Sequence, residues 1–225
     1  GNTNGFESGQ RAWTLFMISN HNLTRNYFNA GIALPSSQQI KSPVSTAWRP
    51  LSSFHDNEVP AHWHKWLSDR GSLTERLIDA SDNQFAVEVL SQVETLPDES
   101  EARALNISPT REVLIRQVIL KGKDTPWVFA RSILPLTTLT GRLAALRHID
   151  SQPLGAVLFN DPSMSREPVA ASYMMASDLH VPESICNQMT HLWGRRSVFR
   201  LDSKPLLVSE IFLPSFQDYN YRLEE

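Results

Sequence analysis

Apolar and polar positions are patterned unevenly along the chain. Residues 1–55 mix Asn, Ser, Gln and Thr with scattered apolar side chains and hold no sustained period. That predicts an irregular or poorly ordered N-terminal extension, ahead of a single domain over residues 56–225. From Pro60 the pattern sharpens. In VPAHWHKWLSDRGSLTERLIDA, Trp63, Trp66 and Leu67 fall at helical spacing, and Gly71 ends that helix. Ser72, with Glu75 three residues on, reads as the cap of a second helix. Residues 84–93 alternate and are rich in Val, which predicts a strand, and residues 97–101 read as a loop. REVLIRQVIL and TPWVFARSILP then flank Lys121-Gly122-Lys123-Asp124, an antiparallel hairpin signal. TTLTGRLAALRHI predicts a short helix, QPLGAVLF a turn and apolar segment, and residues 166–192 a largely helical excursion. RRSVFRLD and PLLVSEIFLP, joined at Asp202-Ser203-Lys204, form a second hairpin. Several antiparallel strands with a few helices make the fold class α+β.

Three charges fall on apolar faces of these strands. Side chains alternate across a strand. Glu210 therefore shares a face with Leu206, Val208 and Phe212, and Arg116 with Leu114, Val118 and Leu120. By the same count Arg131 sits with Trp127, Phe129 and Ile133. An isolated buried charge costs several kcal/mol unless it is paired or used. The pattern leaves three readings open: an Arg116–Glu210 salt bridge, wet edge strands, or a pocket for a small charged molecule. Paired Arg195-Arg196 in LWGRRS would bind an anion or simply solvate a strand end, and by itself the second reading is favoured.

Composition narrows the function classes. Apolar residues make up 41% and charged residues 20% of the chain, as in ordinary globular proteins, and the net charge of -3 gives no polyanion-binding signature. One cysteine, Cys186, allows no internal disulfide and no Cys-based zinc site; it reads as a small core residue, and the chain as cytoplasmic. No run reaches the ~18 apolar residues of a membrane helix, so no stable membrane insertion is expected. There is no G-x-S-x-G, P-loop or G-x-G-x-x-G. His62 and His64, at i,i+2, lie on different helix faces and lack a third ligand nearby, so no metal site is expected.

Four segments carry a resemblance: WLSDRGSLTERL, IRQVILKGKDTPWVFARSILPLTTLTG, QPLGAVLF and LWGRRSVFRLDSKPLLVSEIFLP. Together they resemble the chorismate pyruvate-lyases of bacterial ubiquinone synthesis. The resemblance implies a central antiparallel sheet with flanking helices and a small buried pocket. It implies conversion of chorismate to 4-hydroxybenzoate and pyruvate without metal or organic cofactor; with no interface signal and no basic excess in the sequence, a monomer with no nucleic-acid partner is expected. The family's carboxylate-gripping arginine falls on Arg116 and its glutamate facing the ring 4-oxygen on Glu210, so these are the catalytic candidates. Apolar or backbone contacts fall on Leu73 and Leu154, and a further pocket arginine on Arg131, which would hold the enolpyruvyl carboxylate. On its apolar face Glu210 is expected to be neutral and to act as an acid. The alternative is a non-enzymatic effector-binding domain of the same fold.

Overall fold

A computed structural model describes residues 47–216. Eight strands pair antiparallel in one sheet: Arg49–Pro50 (β1), Phe85–Thr95 (β2), Val113–Gly122 (β3), Thr125–Pro135 (β4), Ser165–Arg166 (β5), Ala170–Met175 (β6), His191–Leu201 (β7) and Lys204–Phe212 (β8). The order is β1-β6-β7-β8-β4-β3-β2, with β5 paired to β7. Both long hairpins form where the turn residues place them. Lys123 and Asp124 have φ of 51° and 59°, and Asp202 and Ser203 48° and 65°. Two consecutive positive φ values give the connection whose twist matches the flanking strands.

Helices cover both faces of the sheet. Ala61–Ser68 (α1) and Leu73–Ala80 (α2) bring Trp63, Trp66, Leu67 and Leu77 onto Val118, Leu120, Val128 and Phe212. On the same face, the 3-10 turn Gly141–His148 and Leu154–Phe159 (α4) pack Leu143, Leu146 and Leu158 against Leu114, Phe199 and Leu206. The opposite face carries Ile115, Ile133, Val198 and Leu207 beneath Leu105 of Glu99–Leu105 (α3). It also carries Phe129 and Ile211 beneath Leu179, Val181 and Cys186. Sheets covered twice bury both sets of alternating side chains, which is why β3 and β4 are apolar nearly throughout.

Four expectations need correction. Residues 97–101 are not simply a loop: Asp98 caps α3 by accepting from the Glu101 N–H at 2.6 Å, while the Glu101 carboxylate accepts from the Asp98 N–H at 2.9 Å. Residues 166–192 are chiefly strand and short turns, because Ala170–Met175 pairs with β7. Arg49 pairs with Ala171, so the ordered domain starts ahead of residue 56; the rest of the proposed extension, residues 1–46, lies outside the described residues. Trp127 does not share a face with Arg131. The β3–β4 register shifts between Leu120 and Lys121, and Trp127 turns to the α1–α2 side. Its ring lies over Gly122, where an added Cβ would come within 2.2 Å of it. Among the described residues no helix is long and apolar enough to cross a membrane.

Candidate active site

Sheet register builds the site. Arg116, Ser132, Val208 and Ser197 stand in one row across β3, β4, β8 and β7. The neighbouring row is Val118, Ala130, Glu210 and Arg195. All eight side chains are on the face covered by α1, α2 and α4. Gly71, Leu73 and Thr74, with Pro153, Leu154, Gly155 and Leu158, roof a cavity above these rows. It is a tight cavity, with about 30 Å³ open to the centres of water-sized molecules. The roof depends on a close approach of α2 and α4, since a Cβ on Gly155 would meet Thr74 Oγ1 at 2.9 Å. Leu73 and Leu154 are the first residues of their helices and are buried against the cavity.

Three guanidiniums face this space. Arg116 is 2% exposed and donates from Nη2 to the Asp150 and Gln152 carbonyls at 2.7 and 3.1 Å. Its Nε is buried with no protein partner, and burial lowers its pKa. Arg195, 1% exposed, donates from Nε to Glu210 Oε2 at 2.7 Å and from Nη1 to the Trp66 and Asp69 carbonyls, each at 2.8 Å. Arg166 donates from Nε to Ser197 Oγ at 3.1 Å and from Nη1 to the Asp69 carbonyl at 3.3 Å, and lies 5.0 Å from the Phe199 ring centroid. Burial, reinforced by repulsion from Arg195, pushes its pKa down to about 10. Against these three cations the cavity lining holds one carboxylate, Glu210.

The open readings of the buried charges now resolve. An ion pair does involve Glu210, but its partner is Arg195 rather than Arg116. The apolar-face argument about Glu210 left out this cation. LWGRRS is buried strand, and Arg195 is the site residue that sequence reasoning missed. Its signal was the alternation of Trp193, Arg195, Ser197 and Phe199, the same evidence that flagged Arg116 and Glu210. Arg166 was missed as well, because a two-residue strand carries no period.

Arg131 is a correction. It sits opposite Ser209 and Gln117, one step out of phase with Ala130 and Ser132, and so points to the other face. There it makes a buried two-point pair with Glu101, Nε to Oε1 at 2.7 Å and Nη2 to Oε2 at 3.2 Å. It does not line the cavity of Arg116 and Glu210. Beside it Asp98, Glu101 and His180 bring ligand-type atoms within 4.8 Å of one another. That cluster is held by protein donors: Arg131 on Glu101, and the Glu101 N–H and His180 on Asp98.

An α+β domain whose sheet lays three arginines and one glutamate under a helical roof defines a cationic small-molecule pocket. The chain belongs to the chorismate lyase family, whose sequence profile matches residues 45–221. It is 40% identical over 165 residues to a "Probable chorismate pyruvate-lyase" of Aromatoleum aromaticum, covering 70% of this chain and 87% of that one. It is 41% identical over 159 residues to a protein of that name from Methylobacillus flagellatus, covering 68% and 88%. For one from Nitrosomonas europaea the identity is 36% over 177 residues, covering 76% and 95%. The family is one of lyases, and the chain is an enzyme of that class. Among solved structures, the effector domain of PhnF from Mycobacterium smegmatis is similar over 64% of this chain and 90% of its own, with 15% identity and a TM-score of 0.44. A likeness this loose carries no argument about function.

Proposed function

We propose that this enzyme converts chorismate to 4-hydroxybenzoate and pyruvate, supplying ubiquinone synthesis from the cytoplasm. One observation carries the reading: a single roofed cavity holds Arg116, with a buried Nε that no protein group satisfies, and Glu210, on a strand two places away. A ring carboxylate placed against Arg116 supplies the missing acceptor, in the charge-assisted geometry that guanidinium favours. The ring then lies along the Arg116–Glu210 direction, between the apolar side chains of Leu73, Leu154 and Val208.

The chemistry asks for little beyond orientation and the handling of one proton. The ring carbon bearing the hydroxyl loses its hydrogen, and the C–H electron pair completes the aromatic ring. The ether bond on the adjacent ring carbon breaks, and its electron pair leaves with enolpyruvate. Enolpyruvate takes a proton on its methylene carbon and becomes pyruvate. Glu210, paired with Arg195, is the group that accepts the ring proton and returns it. Arg195 is a positioning residue here: its bonds to Glu210 and to the Trp66 and Asp69 carbonyls fix the carboxylate beneath the α1–α2 connection. The product keeps the ring carboxylate and hence the Arg116 contact, so release limits turnover and product inhibits. Stopped-flow mixing should show a burst of 4-hydroxybenzoate, and a linear onset would argue against slow release.

The direct test is to mix the purified protein with chorismate in chelator-containing buffer and follow 4-hydroxybenzoate and pyruvate together. Equal amounts of both, formed faster than in protein-free buffer, support the reading. Absence of both sinks it.

A further inference from the structure

Two of the three cavity guanidiniums lack a carboxylate. Arg195 has Glu210, but among the described residues neither Arg116 nor Arg166 has an acid within salt-bridge distance. Their protein partners are neutral oxygens: the carbonyls of Asp150 and Gln152 for Arg116, and Ser197 Oγ and the Asp69 carbonyl for Arg166. Neutral acceptors do not offset the cost of burying a full charge, and both groups show that cost as a lowered pKa. The nearby carboxylate of Asp69 is taken up by Arg76 through two bonds of 2.7 and 2.9 Å.

The two unmatched cations mark opposite ends of one row. Arg116 begins it on β3, Ser132 and Val208 continue it on β4 and β8, and Ser197 ends it on β7. Arg166 bonds to Ser197 from β5, beyond that end. Three strand spacings of about 4.8 Å separate the row's end residues by about 14 Å, and both arginine side chains lie along the cavity between them. A monoanion bound at Arg116 leaves Arg166 uncompensated. A dianion with its charges at opposite ends matches both.

We infer that Arg166 binds the second carboxylate of the substrate, the one that leaves on the side chain, and so separates diacid substrate from monoacid product. This rests on the chorismate reading and deepens it. It gives Arg166 the role that sequence reasoning gave to Arg131. When the side chain departs, Arg166 keeps only its bonds to Ser197 and the Asp69 carbonyl, while Arg116 still holds the ring acid. Substrate affinity therefore depends on both arginines, and product affinity on Arg116 alone.

The test compares Arg166→Gln and Arg166→Lys with the wild type, reading KM for chorismate and Kd for 4-hydroxybenzoate, with Tm as a check on folding. Losing a charge-assisted contact corresponds to a KM rise of roughly 10–150-fold in Arg166→Gln. Arg166→Lys keeps the charge and most of the apolar stem and should fall between Gln and wild type. Kd for 4-hydroxybenzoate should stay within about threefold in both. Equal loss of substrate and product affinity, or no change in KM, overturns the assignment. A wild-type protein that forms no product at all defeats the chorismate reading instead, so the two failures are distinguishable.

Discussion

Arg116→Lys isolates the geometry of the anion grip, because it keeps the charge and removes the fork. In the native site Nη2 is spent on the Asp150 and Gln152 carbonyls, leaving the Nε–H for a ligand oxygen. A lysine ammonium at the end of a flexible stem cannot hold that loop and present a second fixed donor at the Nε position. The loss is at least one hydrogen bond to a charged acceptor, about 1.5–3 kcal/mol. At about 1.4 kcal/mol per decade this raises Kd for 4-hydroxybenzoate roughly 10–150-fold. The retained charge and the remaining loop contact keep Tm within a few degrees of wild type. Arg116→Ala should lose more affinity and also some stability, since both loop carbonyls then lose their donor. Isothermal titration with 4-hydroxybenzoate at neutral pH measures Kd, and a thermal melt certifies the fold. A folded Arg116→Lys variant that binds product within about threefold of wild type would refute the assignment of the ring carboxylate to Arg116.

Other substitutions test the remaining parts. Glu210→Gln keeps the shape and removes the proton acceptor, so kcat should fall by roughly 10²–10⁴-fold while KM moves far less; an unchanged kcat would leave Glu210 as a positioning group only. Arg131→Met breaks the buried pair with Glu101 and strands a carboxylate, costing about 3–5 kcal/mol and lowering Tm, yet the folded fraction should keep the wild-type KM for chorismate. A KM change there would return Arg131 to the substrate site. The Arg166 guanidinium is lowered from its ordinary value to about 10, so its charged form is lost as pH rises through that value. KM for chorismate should therefore be flat below pH 9 and climb above about 10, and Arg166→Gln should remove that inflection. Stability responds in the opposite direction. With the folded pKa below the unfolded one, the buried cation weighs against the fold throughout the range below about 10, and bound dianion relieves it. Chorismate analogues carrying two acids should therefore raise Tm more than 4-hydroxybenzoate at equal saturation.

Local pattern determined a large part of this protein. Period-two alternation placed Arg116 and Glu210 on apolar faces, paired turn residues set both hairpins, and helical spacing with a cap signal set α1 and α2, whereas α4, the other half of the roof, read only as a turn and apolar segment. Each of these signals spans only a few residues, and each element behaves as its own segment dictates. Tertiary structure decided which flagged charges meet. Alternation says that Arg131 and Phe129 share a face of one strand, but only the register against β3 and β8 shows that this face is turned away from Arg116. It cannot foresee the bulge that swings Trp127 to the other side. Arg195 finds Glu210 across a hairpin and the Trp66 carbonyl 129 residues earlier in the chain. Arg166 joins the site from a two-residue strand too short to carry any period. A side chain's phase within its strand is local, whereas its partners are chosen by contacts between distant segments, and so the site's charge balance exists only in the folded sheet.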